Sequence, residues 1–343
     1  MEESTFQQIN FNEPKRKKGW VIIIFFIVFL TALFFAGQIS NTTLVEKSPW
    51  WQKVSNIWRS APTDKNQDTE LNKLFPMPTK EANRLDIIIF GIRGADDQEN
   101  GGLLSDSIML FSFDKNTHKT FLISIPRDLY ADMPGLTKGK LNEIYERGIV
   151  KKDGGDFTKK AFSRVTGVFI DNLVVFNFYA FQDIVNSIGG IDIDLKKPFD
   201  EKTQWGYEFH LPAGSNHLDG ENALYYTRSR YSTSDFDRAR RQQEIIFAIK
   251  NKVLSLGILG NPLKIALLIS SLKNNIDTDF NIWDTKKLLE LALLLNSSSN
   301  KVKTAVISTE NILYETIQNN IYILLPQNND WSLIRKFFKD SIL

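Results

Sequence analysis

Arginines gather in one part of this sequence in a pattern suited to binding a phosphorylated ligand. Arg228 and Arg230 are two residues apart, and in an extended segment this spacing points both side chains to the same side. A guanidinium group binds two phosphate oxygens at once, which makes arginine a common residue in such sites. We therefore predict that these two arginines bind one anion.

A third arginine, Arg238, lies on the inward face of a predicted helix. The helix spans 236–256, and stepping back from its apolar stripe in threes and fours reaches Gln242 and Arg238. An arginine on a core-facing stripe needs an anionic partner, because an unpaired buried charge is costly. Ser234 followed by Asp237 is typical of a helix cap, and the helix N-terminus adds partial positive charge. The apolar stripe comprises Ile245, Ile249, Val253 and Leu256.

A predicted hairpin brings a carboxylate to another arginine. Two apolar runs flank a polar turn at 114–118, so they should pair as antiparallel strands, with Asp106 opposite Arg127 at the open end. A routine strand-end salt bridge is the alternative for this pair, and a solvated arginine-rich surface is the alternative for the whole cluster. We expect Arg240 and Arg241 to be surface arginines of that kind.

The elements that must position these residues alternate between strand and helix. This alternation predicts an α/β fold with a central mixed β-sheet flanked by helices. The predicted strands are 85–92, 106–113, 119–125, 173–178, 191–195, 304–308 and 321–325. The predicted helices are 140–147, 159–166, 179–188, 220–226, 236–256, 263–272, 282–296 and a terminal helix from 331.

Composition excludes several classes of site. The chain has 343 residues, of which 42% are hydrophobic, so it is long enough to bury a full core. It contains no cysteine, which excludes disulfides, thiolate nucleophiles and cysteine-bound metals. The net charge of +2 argues against a surface built to bind nucleic acid. The three histidines are scattered and indicate surface positions rather than a zinc site.

The N-terminal part predicts a single membrane anchor. The segment 20–36 is apolar and about long enough to cross a ~30 Å hydrocarbon core as a helix. The basic run 15–18 should stay in the cytoplasm, which places everything after the anchor outside. A cleaved signal peptide is the alternative. The predicted organisation is a cytoplasmic tail (1–18), a transmembrane anchor (19–39), an extracytoplasmic linker (40–82), a catalytic α/β domain (83–272) and a C-terminal α/β extension (273–343) packed on or following it.

Six segments of the sequence are, in chain order, LSDSIMLFSFD, FLISIPRDLYADMPG, KLNEIYERG, IGGIDIDL, LDGENALYYTRSR and SDFDRARRQQEII. Taken in this order, they resemble the signature segments of the LytR–CpsA–Psr family. The resemblance covers about residues 84–256. Members of this family are membrane-anchored phosphotransferases that transfer glycopolymers, such as teichoic acids or capsular polysaccharide, from a polyprenyl-pyrophosphate carrier to peptidoglycan. The resemblance therefore implies a lipid pocket beside a pyrophosphate site, in a domain outside the cell membrane.

The resemblance also implies roles for individual residues. Asp106 matches an aspartate that binds magnesium, so Mg²⁺ or Mn²⁺ is the implied cofactor. Such an ion and the arginines would neutralise the pyrophosphate while a sugar hydroxyl of peptidoglycan attacks. The implied catalytic residues are Asp106, Arg127, Arg228 and Arg230. The residues implied to bind pyrophosphate are Arg127, Arg228, Arg230, Arg238 and Gln242.

Two positions depart from the family pattern and keep other functions open. Arg93 stands where a second acidic metal ligand is expected, and Leu104 replaces an arginine usually found two residues before Asp106. Asp96 and Asp97 are the candidates to supply the missing carboxylate. A catalytically impaired protein could still bind the lipid in a regulatory role, and a pyrophosphate hydrolase would need the same arginines. The aromatic residues expected in the core or along a lipid tunnel include Phe176, Phe178 and Phe181.

Overall fold

The computed structural model describes residues 65–97, 100–151, 153–256, 275–279 and 302–342. Within these ranges no helix is both long enough and apolar enough to cross a membrane. The predicted tail and anchor, most of the predicted linker, and the helices expected at 263–272 and 282–296 lie outside the described residues. The predicted domain boundaries therefore stay predictions.

The described residues alternate between strands and helices, as the sequence pattern predicts. The strands are β1 (Arg84–Ile92), β2 (Ser105–Asp114), β3 (Thr120–Ser124), β4 (Tyr130–Met133), β5 (Thr137–Lys140), β6 (Asn172–Asn177), β7 (Ile191–Leu195), β8 (Phe199–Glu201), β9 (Phe209–Leu211), β10 (Gly214–Leu218), β11 (Ile276–Thr278), β12 (Val302–Val306), β13 (Leu313–Gln318) and β14 (Ile321–Pro326). The helices are α1 (Lys65–Leu74), α2 (Ile144–Val150), α3 (Gly154–Thr166), α4 (Phe178–Ser187), α5 (Gly220–Arg228), α6 (Asp235–Ser255) and α7 (Trp331–Ile342).

Six strands in the described part of the chain form a central mixed sheet. Their order is β11-β6-β1-β2-β3-β12. The strands β1, β2 and β3 are antiparallel neighbours, whereas the pairs β1–β6 and β3–β12 are parallel. Both edge strands, β11 and β12, come from the segment after residue 272, so this segment contributes to the same sheet as the residues before it. The predicted mixed sheet is confirmed.

One face of the sheet carries the main core. Neighbouring residues of a strand point to opposite sides, and Ile88, Phe90 and Ile92 of β1 pack with Ile108 and Leu110 of β2 on this side. Burial of large side chains against this face supplies most of the apolar stabilisation that a domain of this kind depends on. Helices α2, α3 and α7 add Tyr145, Phe157, Phe162, Phe337 and Phe338 to the same cluster.

Helix α1 ties the described end of the predicted linker to the domain. Leu71 and Phe75 belong to the main core, and the ring of Phe75 lies 4.9 Å from that of Trp331. Arg164 donates a hydrogen bond of 2.6 Å to the carbonyl of Phe75. Residues 65–75 are therefore packed on the domain and fixed there by apolar and polar contacts.

Helix α6 contributes to a second core outside the central sheet. Its residues Ile245, Ile249 and Val253 are buried in one cluster with Ile191, which confirms the predicted apolar stripe. Leu256 departs from the prediction: it is 44% exposed, because it follows the last helical residue and leaves the packed surface. The same helix begins beside the sheet and ends in this second core, so it links the two packed layers.

Arg241 is buried, which contradicts the prediction that it is a surface arginine. Its Nε donates to the carbonyl of Tyr226 over 2.9 Å, one Nη donates to Thr233 Oγ1 over 3.1 Å, and the other Nη donates to the carbonyl of Ser229. Its guanidinium also lies 4.8 Å from the ring centre of Phe199. A helical period assigns a residue to a face, but it does not show that a loop returns to cover that face. Arg241 thus holds the turn between α5 and α6.

We expect Arg241→Ala to lower the free energy of unfolding by about 2–4 kcal/mol, because it leaves buried carbonyl groups without donors. The neighbouring change Arg240→Ala is the matched control. Arg240 is partly exposed and bonds only to Asp237 and Glu310 among the described residues, so its loss should cost less than about 1 kcal/mol. Urea denaturation of the purified protein measures both. Equal effects of the two changes would show that Arg241 does not hold the turn.

Candidate functional site

A cavity of about 470 Å³ lies between the second face of the sheet and helices α4, α5 and α6. Its sheet wall is made by side chains that alternate with the core positions, among them Ile89, Met109 and Leu122. The volume falls within the ~300–1,000 Å³ that is typical of ligand pockets. Further apolar residues of the wall are Phe111, Phe176, Phe178, Phe181, Ile184, Leu224, Ile246 and Phe247.

Charged residues collect at one end of this cavity. At that end β1 and β3 finish, the antiparallel β2 begins, and α5 gives way to α6. The sequence therefore places side chains from five different elements close together. The charged residues that line this end are Arg93, Asp106, Arg127, Arg228, Arg230 and Arg238. The cavity combines an apolar body with a cationic mouth.

Asp106 and Arg127 form the ion pair that the predicted hairpin implies. Arg127 Nη1 donates to Asp106 Oδ1 over 2.6 Å, and its Nε lies 3.4 Å from Asp128 and 3.8 Å from Asp235. Burial alone would lower the pKa of Arg127, but the three carboxylates outweigh burial and raise this pKa. Arg127 therefore keeps its charge, and that charge is largely balanced by protein carboxylates.

Arg238 and Gln242 face the sheet, as the helical stripe predicts. Arg238 is 6% exposed, donates to the carbonyl of Asp106 over 2.9 Å, and pairs with Asp235 at 2.9 Å. Burial lowers the pKa of Arg238, with Asp235 opposing the change. Gln242 Oε1 accepts a hydrogen bond of 2.9 Å from Ser107. The two side chains thus fasten the start of α6 to the start of β2.

Arg228 and Arg230 line the cavity but form no ion pair or side-chain hydrogen bond with another described residue. The guanidinium of Arg228 lies 4.2 Å from the ring centre of Phe178 and 5.0 Å from that of Trp205. Burial, followed by repulsion from Arg93, lowers the pKa of Arg228 to about 10. These two charges are therefore available to an anion that enters the cavity.

The backbone around these two arginines differs from the predicted extended segment. Arg228 is the last residue of α5, and the chain becomes extended only at Ser229, where φ is −58° and ψ is 132°. The C-terminal end of the helix extends two residues beyond the predicted position at 226. Both side chains nevertheless reach the same cavity, because the turn after Ser229 brings Arg230 back beside the end of the helix.

The end of β8 and the loop after it, which the sequence did not identify, hold this turn in place. Gln204 Oε1 accepts from the backbone of Arg230 over 2.7 Å, and its Nε2 donates to the carbonyl of Arg228 over 3.0 Å. Glu201 is fully buried and accepts from the backbone of Tyr231 and of Ser232, both over 3.0 Å. Isolated polar residues at a strand end or in a loop carry no periodic signal, so nothing in the sequence pattern pointed to Glu201 or Gln204.

The two departures from the family pattern lie next to each other. Ile92 pairs with Ser105 at the end of the β1–β2 ladder, so the next residues outward, Arg93 and Leu104, are neighbours at the cavity mouth. Arg93 forms an ion pair of 3.3 Å with Asp97. Asp97 also accepts from Asn100 over 2.6 Å, and this bond together with Arg93 keeps the pKa of Asp97 below its usual range.

The donors at this end do not fit a metal ion held by the protein. Asp106 is the only acidic residue among the described residues that line the cavity, and its carboxylate already contacts Arg127. Asp96 and Asp97 are not among the lining residues. No group of three histidine, aspartate or glutamate side chains in the described ranges is arranged to hold a metal. Magnesium prefers oxygen ligands, whereas this mouth presents mainly guanidinium groups.

The sequence profile of the LytR_cpsA_psr family matches residues 52–336. The chain belongs to this family. The resemblance recognised in the individual motifs is thereby confirmed, and the matched range includes both the cavity and the two edge strands of the sheet.

Relatives in the LytR_cpsA_psr family include named transferases and a named regulator. A polyisoprenyl-teichoic acid–peptidoglycan teichoic acid transferase, TagU, of Enterococcus faecalis is 32% identical over 70% of this chain and 75% of its own length. The crystal structure of Bacillus subtilis TagV is 27% identical, covers 77% of this chain and 98% of its own, and has a TM-score of 0.58. The regulatory protein MsrR of Staphylococcus aureus is 27% identical over 62% of each chain.

We expect Arg228→Met to raise the free energy of unfolding of the ligand-free protein by about 1 kcal/mol at neutral pH. The lowered pKa of Arg228 means that the folded state disfavours its charged form, and this cost is present at every pH below about 10. Arg127→Met should instead destabilise the protein, because it strands carboxylates that Arg127 now neutralises. Urea denaturation compares the two. Destabilisation by Arg228→Met would contradict the unpaired charge inferred here.

Proposed function

We propose that this chain transfers a glycopolymer from a polyprenyl-pyrophosphate carrier to peptidoglycan, with formation of a phosphodiester bond. The observation that carries the proposal is the junction of an apolar cavity with two arginines that lack ion-pair partners within the described residues. A polyprenyl pyrophosphate has the same two parts, an apolar chain and an anion. The name of the relative TagU, a teichoic acid transferase, supports the same class of substrate.

Binding follows from the two ends of the cavity. The isoprenoid chain would leave water for the wall formed by Phe176, Phe181 and Ile246, gaining roughly 0.8 kcal/mol for each methylene buried. The pyrophosphate would meet Arg228 and Arg230, whose guanidinium forks match pairs of phosphate oxygens. Because the rings of Phe178 and Trp205 exclude water around Arg228, each contact with the anion is stronger there than at an open surface.

The reaction replaces one phosphorus–oxygen bond with another. A hydroxyl oxygen of peptidoglycan attacks the phosphorus that carries the glycopolymer, the bond to the bridging oxygen breaks, and polyprenyl phosphate leaves. The proton of the hydroxyl passes to a carboxylate, for which Asp106 is the candidate at the cavity mouth. Arg127, bonded to Asp106, keeps that carboxylate turned toward the mouth. The arginines stabilise the charge that builds up on the transferred phosphoryl group.

The magnesium or manganese ion implied by the family resemblance stays a prediction. The side chains at the mouth give it little support, since Asp106 is already paired and Arg93 stands at the second expected position. No step of the reaction above depends on a metal. The cation requirement is therefore a separate question from the transfer itself.

A regulatory lipid-binding function is the second candidate. It is favoured by the likeness to MsrR, which is named a regulatory protein, and by the departures at Arg93 and Leu104. Such a protein would bind the lipid in the same cavity without transferring its glycopolymer. A pyrophosphate hydrolase would use water as the acceptor and would differ in its product alone.

The transfer is tested with purified protein, a polyprenyl-pyrophosphate-linked teichoic acid precursor and peptidoglycan fragments, with mass spectrometry of the products. We expect a phosphodiester-linked product, and we expect Asp106→Asn to slow its formation by ~10² or more while lipid binding persists. Lipid binding persists in this variant because Arg228 and Arg230 do not contact Asp106 through any hydrogen bond or ion pair in the described residues.

The products separate the three functions. Lipid binding without any product would favour the regulatory function, and release of free glycopolymer phosphate without a joined acceptor would favour hydrolysis. Arg240→Lys is the control for the variants, because Arg240 lies outside the cavity lining and keeps its charge in this change. Slow transfer by this control would mean that the assay reports general damage to helix α6.

We also propose that the chain is held in the cell membrane by one helix, with the N-terminus in the cytoplasm and the cavity outside. Support comes from the basic run 15–18 before the apolar segment 20–36, because positively charged flanks stay in the cytoplasm. Alkaline phosphatase fused after Leu343 should therefore be active, since it folds only outside the cytoplasm. Activity of a cytoplasmic β-galactosidase fusion at the same position would contradict this orientation.

A further inference from the structure

The cavity mouth carries more positive than negative charge. Among the described residues that line the cavity, five arginines stand against a single carboxylate, that of Asp106. Carboxylates outside the lining balance part of this excess. Asp128 and Asp235 lie beside Arg127, Asp235 also pairs with Arg238, and Asp97 pairs with Arg93. Arg228 and Arg230 have no such partner in the described ranges. The site is therefore arranged to receive an anion of more than one charge without an added cation.

Arg93 can bind an anion together with Arg228 and Arg230, because breaking its present ion pair costs little free energy. It is two residues beyond Gly91, which lines the cavity, and it sits at the end of β1 beside Leu104, whose apolar side chain leaves the space next to it uncharged. Arg93 forms an ion pair with Asp97, and the side chains of the two residues are 35% and 38% exposed. Such partly exposed pairs contribute only ~0–1 kcal/mol, so a phosphate oxygen can compete with Asp97 for the guanidinium.

Arg93 is also close enough to Arg228 for the two charges to repel each other. After burial, Arg93 is the largest cause of the lowered pKa of Arg228. Like charges held together inside a cavity favour binding of an anion between them, because the anion removes their repulsion as well as forming new contacts. The geometry of the mouth thus joins Arg93, Arg228 and Arg230 around one opening.

We propose that Arg93 supplies the positive charge that a divalent cation would otherwise bring, so that this protein binds the lipid pyrophosphate through arginines alone, without magnesium or manganese. The inference rests on the proposed function and specifies how its substrate is neutralised. A pyrophosphate diester carries two negative charges, which the three guanidinium groups balance with charge to spare. Each guanidinium can bind two oxygens, so the arginines also fix the orientation that a metal would impose.

The test measures binding of a short-chain polyprenyl-pyrophosphoryl N-acetylglucosamine to the purified full-length protein by isothermal titration, once in excess EDTA and once in saturating MgCl₂. We expect the affinity of the unaltered protein to agree within ~2-fold between the two conditions. Binding that appears only with MgCl₂ would overturn the inference and leave the proposed function standing. Absence of binding in both conditions would defeat the proposed function, and the inference with it.

Variants of Arg93 extend the test to the residue itself. Arg93→Asp should lower affinity in EDTA by ~10-fold or more, and MgCl₂ should restore part of it, because carboxylates at 93 and 106 then offer the ion two ligands. Arg93→Lys should retain most of the affinity in EDTA, since it keeps the charge. Unchanged affinity of Arg93→Asp in EDTA would overturn the role assigned to Arg93.

Lys336→Asp provides the matched control for net charge. It changes the charge of the protein by the same amount as Arg93→Asp, but Lys336 lies on helix α7, which packs on the opposite face of the sheet from the cavity. We expect this variant to bind the lipid as the unaltered protein does in both conditions. A similar loss of affinity in Lys336→Asp would attribute the effect of Arg93→Asp to overall charge and would overturn the inference.

Discussion

Positive charge that faces an apolar cavity without a counter-ion is the constraint on which the rest of this site depends. Arg228 is repelled by Arg93 and Arg238, and Arg230 repels Arg238, so the turn that carries Arg228 and Arg230 must be held by contacts that do not neutralise them. Arg241, Gln204 and Glu201 do this by bonding to backbone groups of the turn and not to the two guanidinium groups. The polar contacts fix the position of the charges and leave the charges themselves unbalanced.

The central sheet makes such a cavity possible because one of its faces is covered by the main core and the other lines the cavity. Ile88, Phe90 and Leu110 are fully buried in the main core, where helices cover them closely. The alternate positions, such as Ile89 and Met109, face the cavity. Close packing on one side supplies stability, which allows the other side to remain open for an apolar ligand. Because side chains alternate along each strand, one set of residues stabilises the fold and the other set lines the cavity.

The sequence predicted those parts of the site that depend on local periodicity. A hairpin turn fixes which residues lie opposite, so Asp106 and Arg127 could be paired, and a helical stripe fixes a face, so Arg238 could be placed inward. Arg241 was assigned wrongly because its burial depends on a loop that folds back over α6. Gln204 and Glu201 could not be found for the same reason, since long-range contacts of isolated polar residues leave no periodic pattern in sequence.

An arginine and a metal ion can both neutralise the pyrophosphate, but they lose their water at different stages, the arginine on folding and the metal ion on binding. A metal arrives with the substrate, so its desolvation is a cost of binding, whereas Arg93 is desolvated in part when the chain folds. The ion pair with Asp97 limits that cost, because the pair is partly exposed and can separate when an anion enters. An arginine at position 93 also means that the mouth lacks the acidic residue expected there. A second carboxylate at the mouth would repel the pyrophosphate unless a cation were bound. Arg93 in place of an acidic residue therefore adds positive charge to the lipid site, and this charge is present whether or not a metal ion is bound.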